Sequence, residues 1–425
     1  MSRSVSAKVY RAVLFGAVLG AALGASAATV TTGKTKHRSS GTARVATKVT
    51  AHTASHARVN NASGTTKAVG TATHSAGTRT VAHGHGARPT LAVRRTRYHE
   101  HFSASSFADN LTLGDVTDGE DPVVRAAAIE ALGNMNGTAI AIDPSTGRIL
   151  AMVNQKLALS RGAEPCSTIK LTVALAALEE GIVRRDTPVN LGGRYHLTMT
   201  EALAHSNNLY FETLGRQLGF ERVKHYANEF GLGELAGYHI QGEQLGTYPD
   251  EELPAALGGV GRMCSFGESV SMTPLQLGAL VAAIANGGTL YYLQHPENSV
   301  ELAAFEPKVK RTLDIAPLIP EISVGMEGAV QYGTARSLRA NFSQFPVMGK
   351  TGTCSNNGTR FGWFGSYADT PNGRIVTVFF LEGGRPTFGP KAAELTGEFY
   401  RALWDKSYFL PKTVVAADGA VGGTE

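Results

Sequence analysis

Apolar and polar positions change their spacing several times along this chain, and each change predicts an element. After Asp121-Pro122, the run VVRAAAIEALG places its apolar residues at helical intervals behind ordinary helix-start residues. GTAIAID (137–143) and RILAMVN (148–154) are short apolar runs of strand type joined by Pro144-Ser145-Thr146-Gly147, which predicts a hairpin. From Ser167 the run LTVALAALEEG returns to a helix, with Gly181 as its C-terminal cap. Thr273-Pro274 opens another helix through LQLGALVAAIANGG, with proline in the tolerated first turn. PVMGKTGT, RFGWFGSYA and RIVTVFFLE then read as three strands separated by Asn- and Gly-rich turns, and a last helix covers 391–404.

Strands at both ends with helices between them predict one α+β domain over 100–410. Its N- and C-terminal strands share an antiparallel sheet, and helices pack on that sheet. Trp363 and Phe364 are assigned to the sheet–helix core. Residues 411–425 are expected to be a disordered tail.

Charge divides the chain more sharply than its net value of +5 suggests. Residues 1–99 hold 15 Lys or Arg and no Asp or Glu, which leaves 25 bases against all 35 acids in the rest. Within the basic part, a short cationic start precedes an apolar stretch from Ala12 to Ala28 that ends in Ala25-Ser26-Ala27. That pattern predicts a signal peptide or a signal anchor over 1–28, and so an exported protein of the cell envelope. Residues 29–99 are nearly devoid of large apolar side chains and read as a disordered basic linker. The linker is either a tether drawn to anionic membrane or wall polymer or a plainly solvated spacer. Its histidines are irregularly spaced, so no metal site is assigned, and export argues against nucleic acid as a partner.

Three short stretches carry the chemistry. Ser167-Thr168-Ile169-Lys170 sets a hydroxyl and an amine about one helical turn apart, so the amine can take the hydroxyl's proton if burial or a nearby cation lowers its pKa. Lys350 is a candidate for that cation. Ser206-Asn207-Asn208 offers Ser206 as a proton relay and the Asn208 amide to a substrate carbonyl. Lys350-Thr351-Gly352-Thr353, on a strand, combines a charge, two hydroxyls and a glycine that permits close backbone approach. That set suits an extended peptide ending in a carboxylate. The backbone N–H groups of Ser167 and Thr353 complete the set as oxyanion donors. Alone, each stretch reads equally well as a helix cap, an Asx-turn or a lysine-protected edge strand. Cys166 and Cys354 flank two of the stretches, and Cys264 is the third cysteine. An active-site disulfide, or redox control of the chemistry beside it, is one reading. Small polarizable side chains filling tight positions is the preferred one.

Together these stretches form the motif set of penicillin-binding proteins and serine β-lactamases. Residues 121–405 resemble a penicillin-binding protein transpeptidase domain. The matching segments are GTAIAIDPSTGRILAMV, EPCSTIKLTVALAALEEG, SFGESVSMTPLQLGALVAAIANGGTL, MEGAVQYGTARSL and MGKTGTCSNNGTRFGWFGSYA. The resemblance implies a β-lactamase/transpeptidase-like fold and acylation of a serine by D-Ala-D-Ala stem peptides of peptidoglycan or by β-lactam antibiotics. It also implies no cofactor. Ser167 becomes the nucleophile, Lys170 the base and Ser206 the relay. Asn208, Lys350, Thr351, Gly352 and Thr353 become the substrate-binding set. Cys166 departs from the family's usual glycine, and Ser167 and Ser206 are only 39 positions apart. A β-lactamase-like hydrolase and a non-catalytic wall-binding scaffold are the alternatives. The Glu-x-x-Leu-Asn segment of class A β-lactamases is missing from the chain.

Overall fold

The computed structural model describes residues 101–410; the expectations for 1–28, 29–99 and 411–425 lie outside the described residues. A five-stranded antiparallel sheet is built from β1 (Gly137–Asp143), β2 (Arg148–Val153), β3 (Val347–Asn356), β4 (Thr359–Thr370) and β5 (Gly373–Gly383). Their spatial order is β2-β1-β5-β4-β3. The first hairpin joins the last three strands through β1 and β5, paired from Gly137 with Leu381 to Ile142 with Val376. Between β3 and β4, Asn357 and Gly358 both take positive φ (49° and 74°), the requirement of a two-residue hairpin turn.

The helices that position the site are α1 (Pro122–Leu132), α2 (Lys170–Glu179), α3 (Asn208–Leu218), α4 (Pro274–Asn286), α5 (Ile319–Gln331) and α6 (Gly389–Asp405). Both faces of the sheet are covered, which is why its strands read as nearly continuous apolar runs. Along β5, Phe379 and Leu381 point into a core shared with α1 and α6. Val378 and Phe380 point into a larger core shared with α2, α3 and α4. Trp363 and Phe364 enter the opposite cores, and the Trp363 ring stacks on Phe380 at 3.9 Å.

Local chemistry sets the helix ends. Asp121 accepts hydrogen bonds from the Val123 and Val124 N–H groups and starts α1. Thr273 and Gln276 satisfy one another's backbone N–H groups at the start of α4. Gly181 takes φ +63° just past α2, and the N–H groups of Gly181 and Ile182 donate to Leu178 and Ala177. α2 is buried from Lys170 to Leu178, so it runs through the interior and carries one lysine in with it. Among the described residues no helix is long and apolar enough to cross a membrane.

Candidate active site

The expected helix at Ser167 begins differently. Cys166–Ile169 is a 3₁₀ turn, and the α-helix starts only at Lys170. The difference matters because residues three apart eclipse one another in a 3₁₀ turn, which stacks Lys170 over Ser167. Two sets of hydrogen bonds hold the turn. Thr168 donates to the Pro165 carbonyl from both its hydroxyl (2.6 Å) and its N–H (3.1 Å). Trp363 Nε1 donates to the Glu164 carbonyl at 3.0 Å. The Ser167 N–H itself has no partner among the described residues.

Ser206 sits in a second bend, with φ +54°, between the helix Met199–Ala204 and α3. Asn207 caps α3 by accepting from the Tyr210 N–H at 2.9 Å, and Asn208 is the first helical residue. This local geometry turns Ser206 and Asn208 toward Lys170. Lys350 arrives from β3, the edge strand of the sheet. Gly352 lets that edge lie against the Cys166–Ile169 turn, since a Cβ there would sit 2.8 Å from the Pro165 oxygen and 3.2 Å from the Thr168 methyl.

Four oxygens surround Lys170 Nζ: Asn208 Oδ1 at 2.6 Å, Ser167 Oγ and the Ser206 carbonyl at 2.9 Å, and Ser206 Oγ at 3.1 Å. Lys350 Nζ lies 2.8 Å from Ser206 Oγ and 2.9 Å from the Thr351 carbonyl. Ser206 Oγ therefore bridges the two amines. Both lysines are fully buried. Burial, and then the charge of Lys350, hold the Lys170 amine well below its ordinary range. Burial brings Lys350 down to about 7. A neutral Lys170 amine has a lone pair for the Ser167 proton, so this arrangement is able to activate the Ser167 hydroxyl.

The threonines of the third stretch lie on alternate positions of β3 from Lys350. The Thr351 hydroxyl pairs with that of Thr334 at 2.7 Å. Thr353 Oγ accepts from the Gly389 N–H at 2.8 Å, which leaves its own proton free to be donated. Thr334 went unrecognised in the sequence, where nothing in YGTARSL distinguishes it from a turn residue. Glu164 was also missed; burial, with the charge of Glu268, pushes its carboxyl up to about 7.

The preferred reading of the cysteines is overturned. Cys166 and Cys354 form a disulfide, with Cα atoms 5.5 Å apart and 188 positions of chain between them. Cys264 is free and buried. Among the described residues no group of three or more His, Cys, Asp or Glu side chains is placed to hold a metal ion.

With this geometry in place, residues 137–401 match the model of the penicillin binding protein transpeptidase domain. The chain belongs to that family. It is 31% identical over 258 residues to stage V sporulation protein D of Bacillus subtilis, covering 51% of this chain and 39% of that protein. It is 24% identical over 340 residues to peptidoglycan D,D-transpeptidase FtsI of Escherichia coli K12, covering 71% and 54%. The chain thus spans about half the length of the curated relatives it matches. Among solved structures, it is similar to a peptidoglycan glycosyltransferase from Burkholderia ambifaria (TM-score 0.57, 21% identity, 68% of this chain and 97% of that one). It is also similar to Pseudomonas aeruginosa PBP2 (TM-score 0.56, 22% identity, 69% and 75%). These likenesses agree with the α+β transpeptidase fold expected from the sequence.

Proposed function

We propose that this chain is an exported acyl-serine D,D-transpeptidase of the cell envelope, acting on D-Ala-D-Ala stem peptides of peptidoglycan and acylated by penicillin. The observation that carries this reading is the buried Lys170 amine within 3.1 Å of the hydroxyls of both Ser167 and Ser206. The names of the relatives and the family match support the same chemistry. The apolar stretch 12–28 supports export.

In this mechanism Lys170 Nζ takes the Ser167 proton as Oγ attacks the carbonyl of the penultimate D-Ala. The substrate strand lies along the free edge of β3, and its terminal carboxylate is held by the Lys350 charge with the Thr351 and Thr353 hydroxyls. The N–H groups of Ser167 and Thr353 receive the negative oxygen that forms. Ser206 passes the proton from Lys170 to the leaving D-Ala amine, and Asn208 Nδ2 donates to the donor peptide while its Oδ1 stays with Lys170. An amine of a second stem then attacks the acyl-enzyme; water in its place gives carboxypeptidase action.

Fluorescent penicillin tests the reading. Stable labelling of the protein, abolished by Ser167→Ala, is the expected result. Label that decays within minutes points instead to a β-lactamase-like hydrolase. A folded protein that binds muropeptide and never takes label is a wall-binding scaffold, and the proposal fails.

A further inference from the structure

The disulfide joins the two backbone segments from which the oxyanion donors come. Cys166 immediately precedes Ser167, and Cys354 immediately follows Thr353. Cys166 takes φ +51°, a left-handed conformation that an L-residue with a Cβ adopts at a cost on the order of 1–2 kcal/mol and glycine adopts freely. Local preference therefore does not explain a cysteine at this bend; the bond across to β3 does. Cys166 is completely buried, and Cys354 is partly exposed at the end of the stretch of β3 that carries the lysine.

The other contacts across this seam leave the disulfide a distinct task. Trp363 holds the Glu164 carbonyl, and Gly352 lies close under Pro165. Trp363 acts on the Pro165 side of the turn, and Gly352 packs against Pro165 and Thr168 without bonding to either. Beyond them, the noncovalent bonds of Thr353 and Ser167 lead elsewhere, to Gly389 and to Lys170. Among the described side-chain bonds, the covalent bond alone ties the residue next to Ser167 directly to the residue next to Thr353.

We propose that the Cys166–Cys354 disulfide is a positioning bond that sets the spacing of the Ser167 and Thr353 N–H groups, and that it links acylation to the thiol–disulfide state of the protein. This deepens the transpeptidase reading and rests on it. Opening the bond takes two electrons from a thiol reductant. A dithiol attacks the partly exposed Cys354 sulfur, releases the Cys166 thiolate, which takes up a proton, and then closes on itself as a disulfide while Cys354 leaves as a thiol. Both amides then keep their chemistry and lose their fixed separation.

The test compares penicillin acylation of the protein oxidised, reduced with dithiothreitol, and carrying Cys354→Ser or Cys166→Ala, with thiol content confirmed by mass. Rate and labelled fraction are read separately. Loss of one oxyanion donor costs on the order of 10²–10³ in rate, so a donor held out of place is expected to cost about tenfold or more in the acylation rate constant, with noncovalent affinity for the antibiotic little changed. The labelled fraction stays near that of the oxidised parent. A merely structural bond would instead lower the labelled fraction and leave the rate of the remaining molecules alone, and that result overturns the proposal. So do equal rates in all four samples, which leave the acyl-serine reading standing. If oxidised parent takes no label at all, the acyl-serine reading fails and the linkage fails with it.

Discussion

The two sides of the site bring in one lysine each, and the two lysines are not equivalent. Lys170 comes from an interior helix and is met by four oxygens; Lys350 comes from an edge strand and is met by two. Burial depresses both, and Lys170, with the charge of Lys350 beside it, is held well below its ordinary range. One amine is thus driven toward the neutral form that accepts a proton. The other, at about 7, still carries charge near neutrality and can hold an anion. A shared serine hydroxyl between them lets proton transfer and carboxylate binding sit side by side.

The most severe way to break this asymmetry is Lys170→Met. It removes the proposed base, and acylation should fall by about 10³-fold or more, at the upper part of the range for general-base catalysis. Thermal unfolding of the same variant should change little, since the cost of burying an amine is removed while four oxygens lose their donor. Lys350→Met should cost less, about 10- to 100-fold in acylation efficiency, the worth of a hydrogen bond to a charged group. It should also raise the pKa of Lys170, so the acid limb of the pH–rate profile moves to higher pH. A profile that stays in place would mean that the two amines do not feel one another.

The pH dependence of the parent sharpens the comparison further. Efficiency measured on free protein should decline as pH rises through about 7, because Lys350 then loses the charge proposed to hold the carboxylate. Stability should move the other way. The folded value of Lys350 lies below its unfolded value of 10.5, so the unfolded chain binds more protons between them. Its contribution is fully present above 10.5 and is lost as pH falls through about 7, so denaturant midpoints should rise with pH across that window. Lys350→Met should flatten this rise.

The smallest effect belongs away from both lysines. Thr273→Ala breaks the reciprocal bonds with Gln276 at the start of α4 and should cost about 1 kcal/mol in denaturant unfolding. Its acylation rate should match that of the parent. A marked drop would show that α4 reaches the site in a way the two-lysine comparison does not include.

Much of this arrangement was legible because it rests on local rules. The first hairpin, the Asn357-Gly358 turn, the Asp121 and Thr273 caps and the Gly181 stop are each set by residues only a few positions apart. The three polar stretches stood out as a set, and the structure brings Ser167, Lys170, Ser206, Asn208 and Lys350 into one cluster. The disulfide did not stand out, because a bond across 188 positions leaves no periodic mark and three cysteines do not specify a pair. The start of α2 was misjudged for a subtler reason. Three residues of 3₁₀ turn and three of α-helix look alike in sequence, yet only the former stacks Lys170 over Ser167. The partners of Thr351 and Thr353 come from Thr334 and Gly389, both remote in the chain, and no local pattern points to either.

The seam between β1 and β5 has a consequence for the order in which this protein can be made. β1 is complete at Asp143, but its partner ends at Gly383, 240 positions later. At roughly 5–20 residues per second, the first hairpin waits on the order of 10–50 seconds on a growing chain with one edge unpaired. Ser167, Ser206 and β3 are all synthesised before β5 exists to draw the sheet together. A ribosome stalled near Asn372 would hold a chain with Ser167, Lys170, Ser206, Asn208 and Lys350 and no closed sheet to bring them together.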